Sequence, residues 1–241
     1  MLHSHHHIPH PRRHRAWVVL ALILAPFFGM LIAGHFAGVS GSGLLTALLT
    51  SLYRLILAYL LSLIIAVVVA IAVGSNRTAT TIFLPIFDVL QNIPSFALTP
   101  IFIILLGLTD TMVIVFAATS IIWPILFYTL NAVETAHSDL NDAATVFGAT
   151  GLKRAIYYLL PLSFPAIVTG SIVGVSIGWE AVIGMEIIGS ITGVGTFLNI
   201  AGANHDKPAL IAGTIAILCL VFIINRAVWV PLISRTQKYA E

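Results

Sequence analysis

Five ionisable side chains lie inside or beside long apolar stretches of this chain: Arg54, Asp88, Glu180, Glu186 and Arg226. A charge at the centre of a lipid bilayer costs at least roughly 2.5–3.5 kcal/mol, so each must pair, face a protein interior or reach an interface. Two kinds of site would use such residues, a polar pathway or a structural ion pair, and the residue types leave both open. Arg54 can neutralise a buried carboxylate, and Arg226 can extend to the interface.

Polar side chains also precede a proline inside an apolar stretch. Gln91 and Asn92 come just before Ile93 and Pro94. Proline lacks a backbone donor and disfavours helix at the residue before it, so we expect the helix to break there. Freed carbonyls and amides at membrane depth need protein or a water-filled path beside them. A path-lining break and an ordinary proline kink both fit this pattern.

The composition identifies the lipid bilayer as the solvent that these residues meet. The chain is 59% hydrophobic and 8% charged, whereas soluble domains average about 25% charged. A helix needs about 20 apolar residues to cross a bilayer, and the apolar runs lack β-barrel alternation. The sequence therefore predicts an all-α integral membrane protein with about six transmembrane helices, at residues 17–33, 52–73, 82–106, 111–131, 162–188 and 209–230.

Basic residues flank the predicted spans mostly on one side, and the positive-inside rule then places both termini in the cytoplasm. The loops predicted on the opposite side contain Lys207 with Asp110 and Asp206. The basic residues on the cytoplasmic side are Arg12, Arg13, Arg15, Arg77, Lys153, Arg154, Arg235 and Lys238.

The first 16 residues are rich in histidine. Neutral imidazoles bind zinc, nickel or copper, which leaves a metal-binding tail open. His-Pro interruptions and the lack of a carboxylate or thiol favour a disordered cytoplasmic tail, and we predict no metal site. Cys219 is the only cysteine, so the chain cannot form an internal disulfide.

Gly170, Gly174 and Gly178 form two consecutive G-x-x-x-G steps in the fifth predicted span. Such a strip lets helices pack closely in a membrane. Packing within one subunit and packing across a dimer both fit.

A polar-leaning loop, residues 132–160, separates the fourth and fifth predicted spans. It contains one apolar helical face with i, i+3, i+4, i+7 spacing, formed by Leu140, Ala143, Ala144 and Phe147. Gly148 can end this short helix, and a second helix from about residue 152 would run to Pro161. Small alanines permit close approach of another backbone, which favours docking onto a partner over an amphipathic helix on lipid headgroups.

This loop resembles the cytoplasmic EAA loop of binding-protein-dependent ABC importer permeases. The family pattern is Glu-Ala-Ala, three residues, Gly, nine residues, Ile, any residue, Leu-Pro. Here Asp142 replaces Glu and Tyr158 replaces Ile. The resemblance implies a type I ABC importer permease fold, in which the first short helix is a coupling helix that fits a cleft of an ATPase subunit. The implied coupling residues are Asp142, Ala143, Ala144, Gly148, Lys153, Leu160 and Pro161.

The sequence has no G-x-x-x-x-G-K-[ST] phosphate loop. The glycine run at residues 38–46 lacks lysine, and we predict that it forms a turn on the outer side. The resemblance then implies that this chain is not an enzyme and holds no cofactor. ATP and Mg²⁺ would bind to a partner ABC ATPase dimer.

Two further stretches resemble the nitrate/sulfonate/taurine/bicarbonate branch of these permeases. One is residues 84–107, with its Ile-Pro and closing glycine. The other is residues 178–201, where a Trp is followed seven residues later by Glu and then by Gly-x-Gly. Together with the charge and proline arguments, they predict a translocation pathway that includes Arg54, Gln91, Asn92, Pro94, Trp179, Glu180 and Glu186.

The resemblance covers most of residues 45–235 and implies the transmembrane subunit of an ATP-driven importer in the bacterial cytoplasmic (inner) membrane. Its solute would be a small oxyanion or sulfonate such as nitrate, bicarbonate or taurine. The implied partners are a second permease copy in a homodimer and a periplasmic or lipid-anchored solute-binding protein, with no nucleic acid. Residues 17–235 would form the permease domain, with cytoplasmic ends at 1–16 and 236–241.

An ion-coupled secondary transporter or channel that uses the intramembrane carboxylates is the alternative. Such folds often contain internal repeats with paired broken helices, whereas this sequence predicts one break, at Pro94. An intramembrane enzyme is weaker because the sequence has no H-E-x-x-H or G-x-S-x-G motif.

Overall fold

The structure, a computed structural model, describes residues 41–136 and 151–236. Every regular element in these two ranges is helical, which confirms the predicted all-α class. The helices are α1 (Gly41–Gly74), α2 (Arg77–Gln91), α3 (Ser95–Leu106), α4 (Asp110–Glu134), α5 (Gly151–Gly189), α6 (Val194–Ala203) and α7 (Lys207–Thr236).

Four of the described helices, α1, α4, α5 and α7, are long and apolar enough to cross a membrane. The pair formed by α2 and α3 is bent by 80° and makes a fifth span if it is counted as one. These five correspond to the predicted spans from 52–73 onward. The predicted first span, 17–33, lies outside the described residues.

The predicted break before Pro94 is confirmed. Helix α2 ends at Gln91, and Pro94 has extended backbone angles, φ −60° and ψ 113°. A new helix then starts at Ser95. The missing proline donor and the restriction on the preceding residue give the physical reason for this end.

Helix α1 begins earlier than expected. Residues 41–46 lie within it, so the predicted turn at the glycine run is wrong at these positions. Leu44 is buried and packs with Val194 and Ala216 in a small apolar cluster. Tertiary burial here outweighs the low helix propensity of Gly41 and Gly43.

The core lies where α1, α4 and α5 pack together. Small buried residues recur every four positions on α1 and let α4 approach closely: Ala58, Ser62, Ala66 and Ala70. The Ser62 hydroxyl lies 2.9 Å from the Ala118 carbonyl oxygen on α4 and donates to it. The two helices are therefore joined by a polar contact as well as by close packing.

The glycine strip of α5 contacts α4 of the same chain. A Cβ added at Gly170 would lie 2.8 Å from the Ile125 Cα, and one at Gly178 would lie 2.6 Å from the Ile121 Cδ1. Of the two packing arrangements that fit the sequence, the structure thus contains the one within a subunit. Helix α4 lies between two small-residue strips.

Helices α5 and α7 each contain a π-helical turn just before a proline. The turns span Ala155–Leu159 and Asn225–Trp229, and Pro161 and Pro231 follow after one intervening residue. A wider turn accommodates the proline ring, which would otherwise clash with a carbonyl of the preceding turn. The predicted separation of a short helix ending at Pro161 from the fifth span is therefore wrong, because α5 continues through this residue.

Candidate functional site

Arg54 is the centre of a buried polar cluster near one end of the bundle. Its side chain is 0% exposed and lies between two acids. Nη1 donates to Oε1 of Glu186 at 2.6 Å, and Nη2 donates to Oδ1 of Asp110 at 2.6 Å. Nη1 also donates to the Thr192 carbonyl, so the guanidinium binds to three separate segments of the chain.

The Glu186 carboxylate is fully buried and its oxygens are well bonded. The Ser51 Oγ lies 2.7 and 2.9 Å from the two oxygens, and the Gly195 backbone N–H donates to Oε2 at 2.9 Å. Ser51 in turn accepts from the Val194 N–H at 2.9 Å. A buried ion pair contributes to stability only when such hydrogen bonds compensate the lost hydration of both charges.

Two glycines make room for this carboxylate. A Cβ at Gly193 would lie 2.2 Å from the Glu186 carboxylate, and one at Gly195 would lie 2.4 Å from the Ile183 carbonyl oxygen. Both approaches are closer than real Cβ contacts. The Gly-x-Gly sequence therefore lets the segment between α5 and α6 pass directly over the acid.

The cluster joins α1, α4, α5 and α6, and its geometry is that of a structural ion pair. The structure brings together two predicted pathway residues here, Arg54 and Glu186. Their charged groups contact each other and the segment that follows α5. The partner Asp110 was read in the sequence only as a loop acid, and its contact with Arg54 was missed.

A second group of predicted residues lies at the break between α2 and α3. Gln91, Asn92 and Pro94 are all exposed. The Gln91 Nε2 donates to Oδ1 of Asp88 at 3.0 Å, and the Asn92 amide donates to the Asp88 carbonyl. These polar groups form one exposed patch on a span that is otherwise apolar.

Trp179 and Glu180, the other predicted pathway residues, point away from each other on α5. Trp179 is buried and lines a cleft of about 180 Å³ with Trp229 and Asn225 of α7. Glu180 is exposed. The structure therefore places the seven predicted pathway residues in four different neighbourhoods.

The residues of the predicted coupling loop are only partly described. Asp142, Ala143, Ala144 and Gly148 lie outside the described residues. Lys153, Leu160 and Pro161 are exposed on the first turns of α5. A cleft of about 670 Å³ lies at this end of the bundle, and Arg77, Glu134 and Arg154 are among its lining residues.

Another cleft, of about 360 Å³, lies beside the middle of α4 and was missed in the sequence. Its polar and aromatic lining groups are Gln91, Ser95, Ser120, Trp123, Phe127 and Tyr128. The proline at position 124, inside an otherwise regular α4, is the sequence signal that could have drawn attention to it.

The family model and the similar curated proteins both identify transport permeases. Residues 60–229 match the family model described as binding-protein-dependent transport system inner membrane component. The taurine transport system permease protein of Escherichia coli (strain K12) is 27% identical over 154 residues, which cover 64% of this chain and 56% of that protein.

Two other similar proteins have different named solutes. The bicarbonate transport system permease protein of Synechococcus elongatus is 29% identical over 157 residues, 65% of this chain and 56% of that protein. The nitrate import permease protein of Leptolyngbya laminosa is 27% identical over 144 residues, 60% of this chain and 52% of that protein. The chain spans about half the length of the curated relatives it matches.

Proposed function

The chain belongs to the family of binding-protein-dependent transport system inner membrane components, and from this premise we propose that it is the transmembrane subunit of an ATP-driven importer. Together with a second copy it forms a translocation pathway for a small solute. A solute-binding protein delivers the solute, and a separate ABC ATPase dimer binds ATP and Mg²⁺.

The observation that carries this proposal is an exposed carboxylate, Glu180, on the membrane-crossing helix α5. Thr169 and Ser176 are exposed on the same side of the helix, where their hydroxyls donate to carbonyls within α5, and the exposed Val173 lies between them. A carboxylate that faced lipid would be costly, so this side must meet water or protein. A water-filled path between two copies satisfies that requirement.

The solute class follows the relatives, whose names specify taurine, bicarbonate, nitrate and aliphatic sulfonates. Their common chemistry is a small oxyanion or sulfonate group. We extend this class to the present chain. The solute-binding protein selects the solute, and the permease forms its translocation pathway.

Coupling to the ATPase is assigned to residues 139–151, with Asp142, Ala143, Ala144 and Gly148 at its centre. ATP binding closes the ATPase dimer and draws the two coupling helices together, which turns the pathway outward. Hydrolysis resets it. This cycle is alternating access, driven by differential affinity of the ATPase and the solute for two states.

The proposed orientation places both termini and the coupling segment in the cytoplasm. The end of the bundle with Arg77, Lys153 and Arg154 then faces the cytoplasm. The Arg54 cluster lies towards the periplasmic side, where the binding protein docks. The membrane is the bacterial inner membrane, and the domain extends over residues 17–235.

The first test is co-purification of the chain with a co-expressed ABC ATPase subunit from the same organism, in wild-type form and with Ala144→Trp. The expected result is co-elution that the substitution abolishes. Ala203→Trp, an exposed position on α6 at the other end of the bundle, is the matched control and retains co-elution.

Uptake into proteoliposomes completes this test. ATP-dependent uptake by the reconstituted importer is expected, with none from the permease alone. Uptake by the permease alone, driven by an ion gradient, would overturn the proposal in favour of ion-coupled transport.

A further inference from the structure

The cleft where α1 ends and α2 begins has a lining with net positive charge. Its volume of about 670 Å³ is within the range of ligand sites in proteins. The charged lining residues in the described ranges are Arg77 of α2, Arg154 of α5 and Glu134 of α4. Two arginines and one glutamate leave a net charge of +1. Because a guanidinium can bind a phosphate group through two parallel hydrogen bonds, the cleft favours a phosphate ligand with a single negative charge.

The turn between α1 and α2 holds Arg77 in position. The Asn76 side chain accepts from two backbone N–H groups in the first turn of α2, at 2.9 and 3.3 Å. The Thr80 hydroxyl donates to the Val73 carbonyl of α1 at 3.0 Å. Arg77 is the first residue of α2, and its exposed guanidinium has no hydrogen bond or ion pair within the part of the chain that the structure describes. Its backbone is therefore fixed while its charged group is available to a ligand.

Glu134 does not occupy this arginine. Both residues line the cleft, but no ion pair joins them in the described structure. Glu134 is exposed at the last position of α4, where water hydrates its carboxylate. It therefore lowers the positive charge of the cleft without blocking the Arg77 guanidinium.

An apolar surface continues from the cleft along α2. Leu84 and Pro85 of this helix line the cleft. Val89, one turn after Pro85, is exposed, and so is Ile82 on the same flank. A soluble phosphate compound would use only the charged end of this surface. A phospholipid uses both parts, since its headgroup meets the arginines and its acyl chains meet the apolar flank.

The position of the cleft in the bundle agrees with a lipid ligand. The membrane-crossing helices α1 and α4 end here, at Gly74 and Glu134, and α2 begins here. The ends of membrane-crossing helices lie near the headgroups of the bilayer. Basic pockets between such helices bind anionic lipid headgroups.

We propose that this cleft binds the phosphate headgroup of an anionic phospholipid. Arg77 and Arg154 bind the phosphate, and the acyl chains lie along the flank of α2 that contains Ile82 and Val89. Phosphatidylglycerol, with a single negative charge, matches the net charge of the lining, whereas phosphatidylethanolamine has no net charge. The bound lipid joins the start of α2 to the start of α5. This inference goes beyond the importer function and does not depend on it.

The experiment is native mass spectrometry of the purified full-length permease in detergent. Phosphatidylglycerol and phosphatidylethanolamine with identical acyl chains are added in equal amounts, and the ratio of the two bound lipids is measured. We expect the wild type to retain phosphatidylglycerol preferentially. Arg77→Gln and Arg154→Gln should each lower the ratio about fivefold, because each removes one basic group from the anionic headgroup. Glu134→Gln should raise the ratio, a gain that unfolding cannot produce.

Arg235→Gln is the matched control. It makes the same change of charge at an exposed position near the end of α7, outside the described lining of the cleft, and should retain the wild-type ratio. An excess of inorganic phosphate should leave the bound phosphatidylglycerol in place, because phosphate has no acyl chains.

Equal retention of the two lipids by the wild type would overturn the proposal. So would a wild-type ratio in both Arg77→Gln and Arg154→Gln, or an equal loss in Arg235→Gln, which would indicate a general attraction to basic surface groups. Displacement by inorganic phosphate would assign the cleft to a soluble anion instead. The measurement involves neither transport nor the ATPase, so its failure is distinguishable from failure of the importer proposal.

Discussion

Nη1 of Arg54 and Oε1 of Glu186 lie 2.6 Å apart with both side chains fully buried, although 132 positions separate the two residues in the sequence. The second acid on the same guanidinium, Asp110, is 60% exposed. The two ion pairs share one cation and differ in their access to solvent. That difference allows their contributions to stability to be separated.

Glu186→Gln should lower the free energy of unfolding by about 3–5 kcal/mol, because it removes the buried counter-charge of Arg54. Asp110→Asn should cost about 1 kcal/mol or less, because the exposed acid is already hydrated. Thermal unfolding in detergent compares the two variants. Equal losses of unfolding free energy in the two variants would contradict the assignment of Glu186 as the main stabilising partner of Arg54.

Gly170→Ala should destabilise the protein by about 1–3 kcal/mol through overpacking. The added Cβ would meet the backbone of α4, 2.8 Å from the Ile125 Cα, and backbone cannot move aside as a side chain can. Gly202→Ala is the control, since its nearest neighbour would be 3.9 Å away. The measurement is the midpoint of thermal unfolding. Equal midpoints for the two variants would contradict the prediction, because they would show that α4 and α5 can move apart at Gly170 without loss of stability.

Glu180→Cys should react with a water-soluble, membrane-impermeant thiol reagent in the assembled importer, because we expect this exposed position to face water. Leu218→Cys on α7 is the control, 63% exposed on an apolar helix and expected to face lipid and remain unlabelled. The native Cys219 is buried and gives a low background. Labelling is read by mass, and the opposite labelling pattern would place α7, not α5, beside the path.

Gly148→Pro should leave ATP hydrolysis intact but uncouple it from uptake. The sequence predicts that Gly148 ends the coupling helix in the left-handed conformation, which proline cannot adopt. Gly148→Asn is the control, since asparagine tolerates that conformation. Solute-stimulated ATPase activity and uptake are measured in the same proteoliposomes, and full coupling in Gly148→Pro would remove this glycine from the coupling assignment.

Features that depend on local chemistry could be predicted from the sequence. The break at Pro94 follows from the missing donor of one residue, and the long apolar helices follow from hydropathy. The end of the second predicted span also agrees, at Gly74, where the apolar run stops. The interactions involved act over a few neighbouring residues.

Features that depend on distant partners could not be predicted in this way. The sequence indicates that Arg54 and Glu186 need partners, but the choice of Asp110 as the third member depends on how α4 begins beside α1. Ser120 reads as an ordinary small residue in an apolar helix, and only the packed structure leaves its hydroxyl without a partner. The short helix α6 was also missed, because its position depends on the Glu186 carboxylate beneath Gly195.

The buried Arg54 also has a consequence for biosynthesis. Translation produces α1 before the segments that carry the two counter-ions of Arg54, which follow 56 and 132 residues later. A nascent α1 therefore enters the bilayer with an unneutralised guanidinium, which the membrane disfavours. The contacts of Arg54 can be completed only once α4, α5 and the segment up to Gly195 have been synthesised. A side chain in the first quarter of the chain therefore acquires its buried counter-charge only after residue 186 has been made.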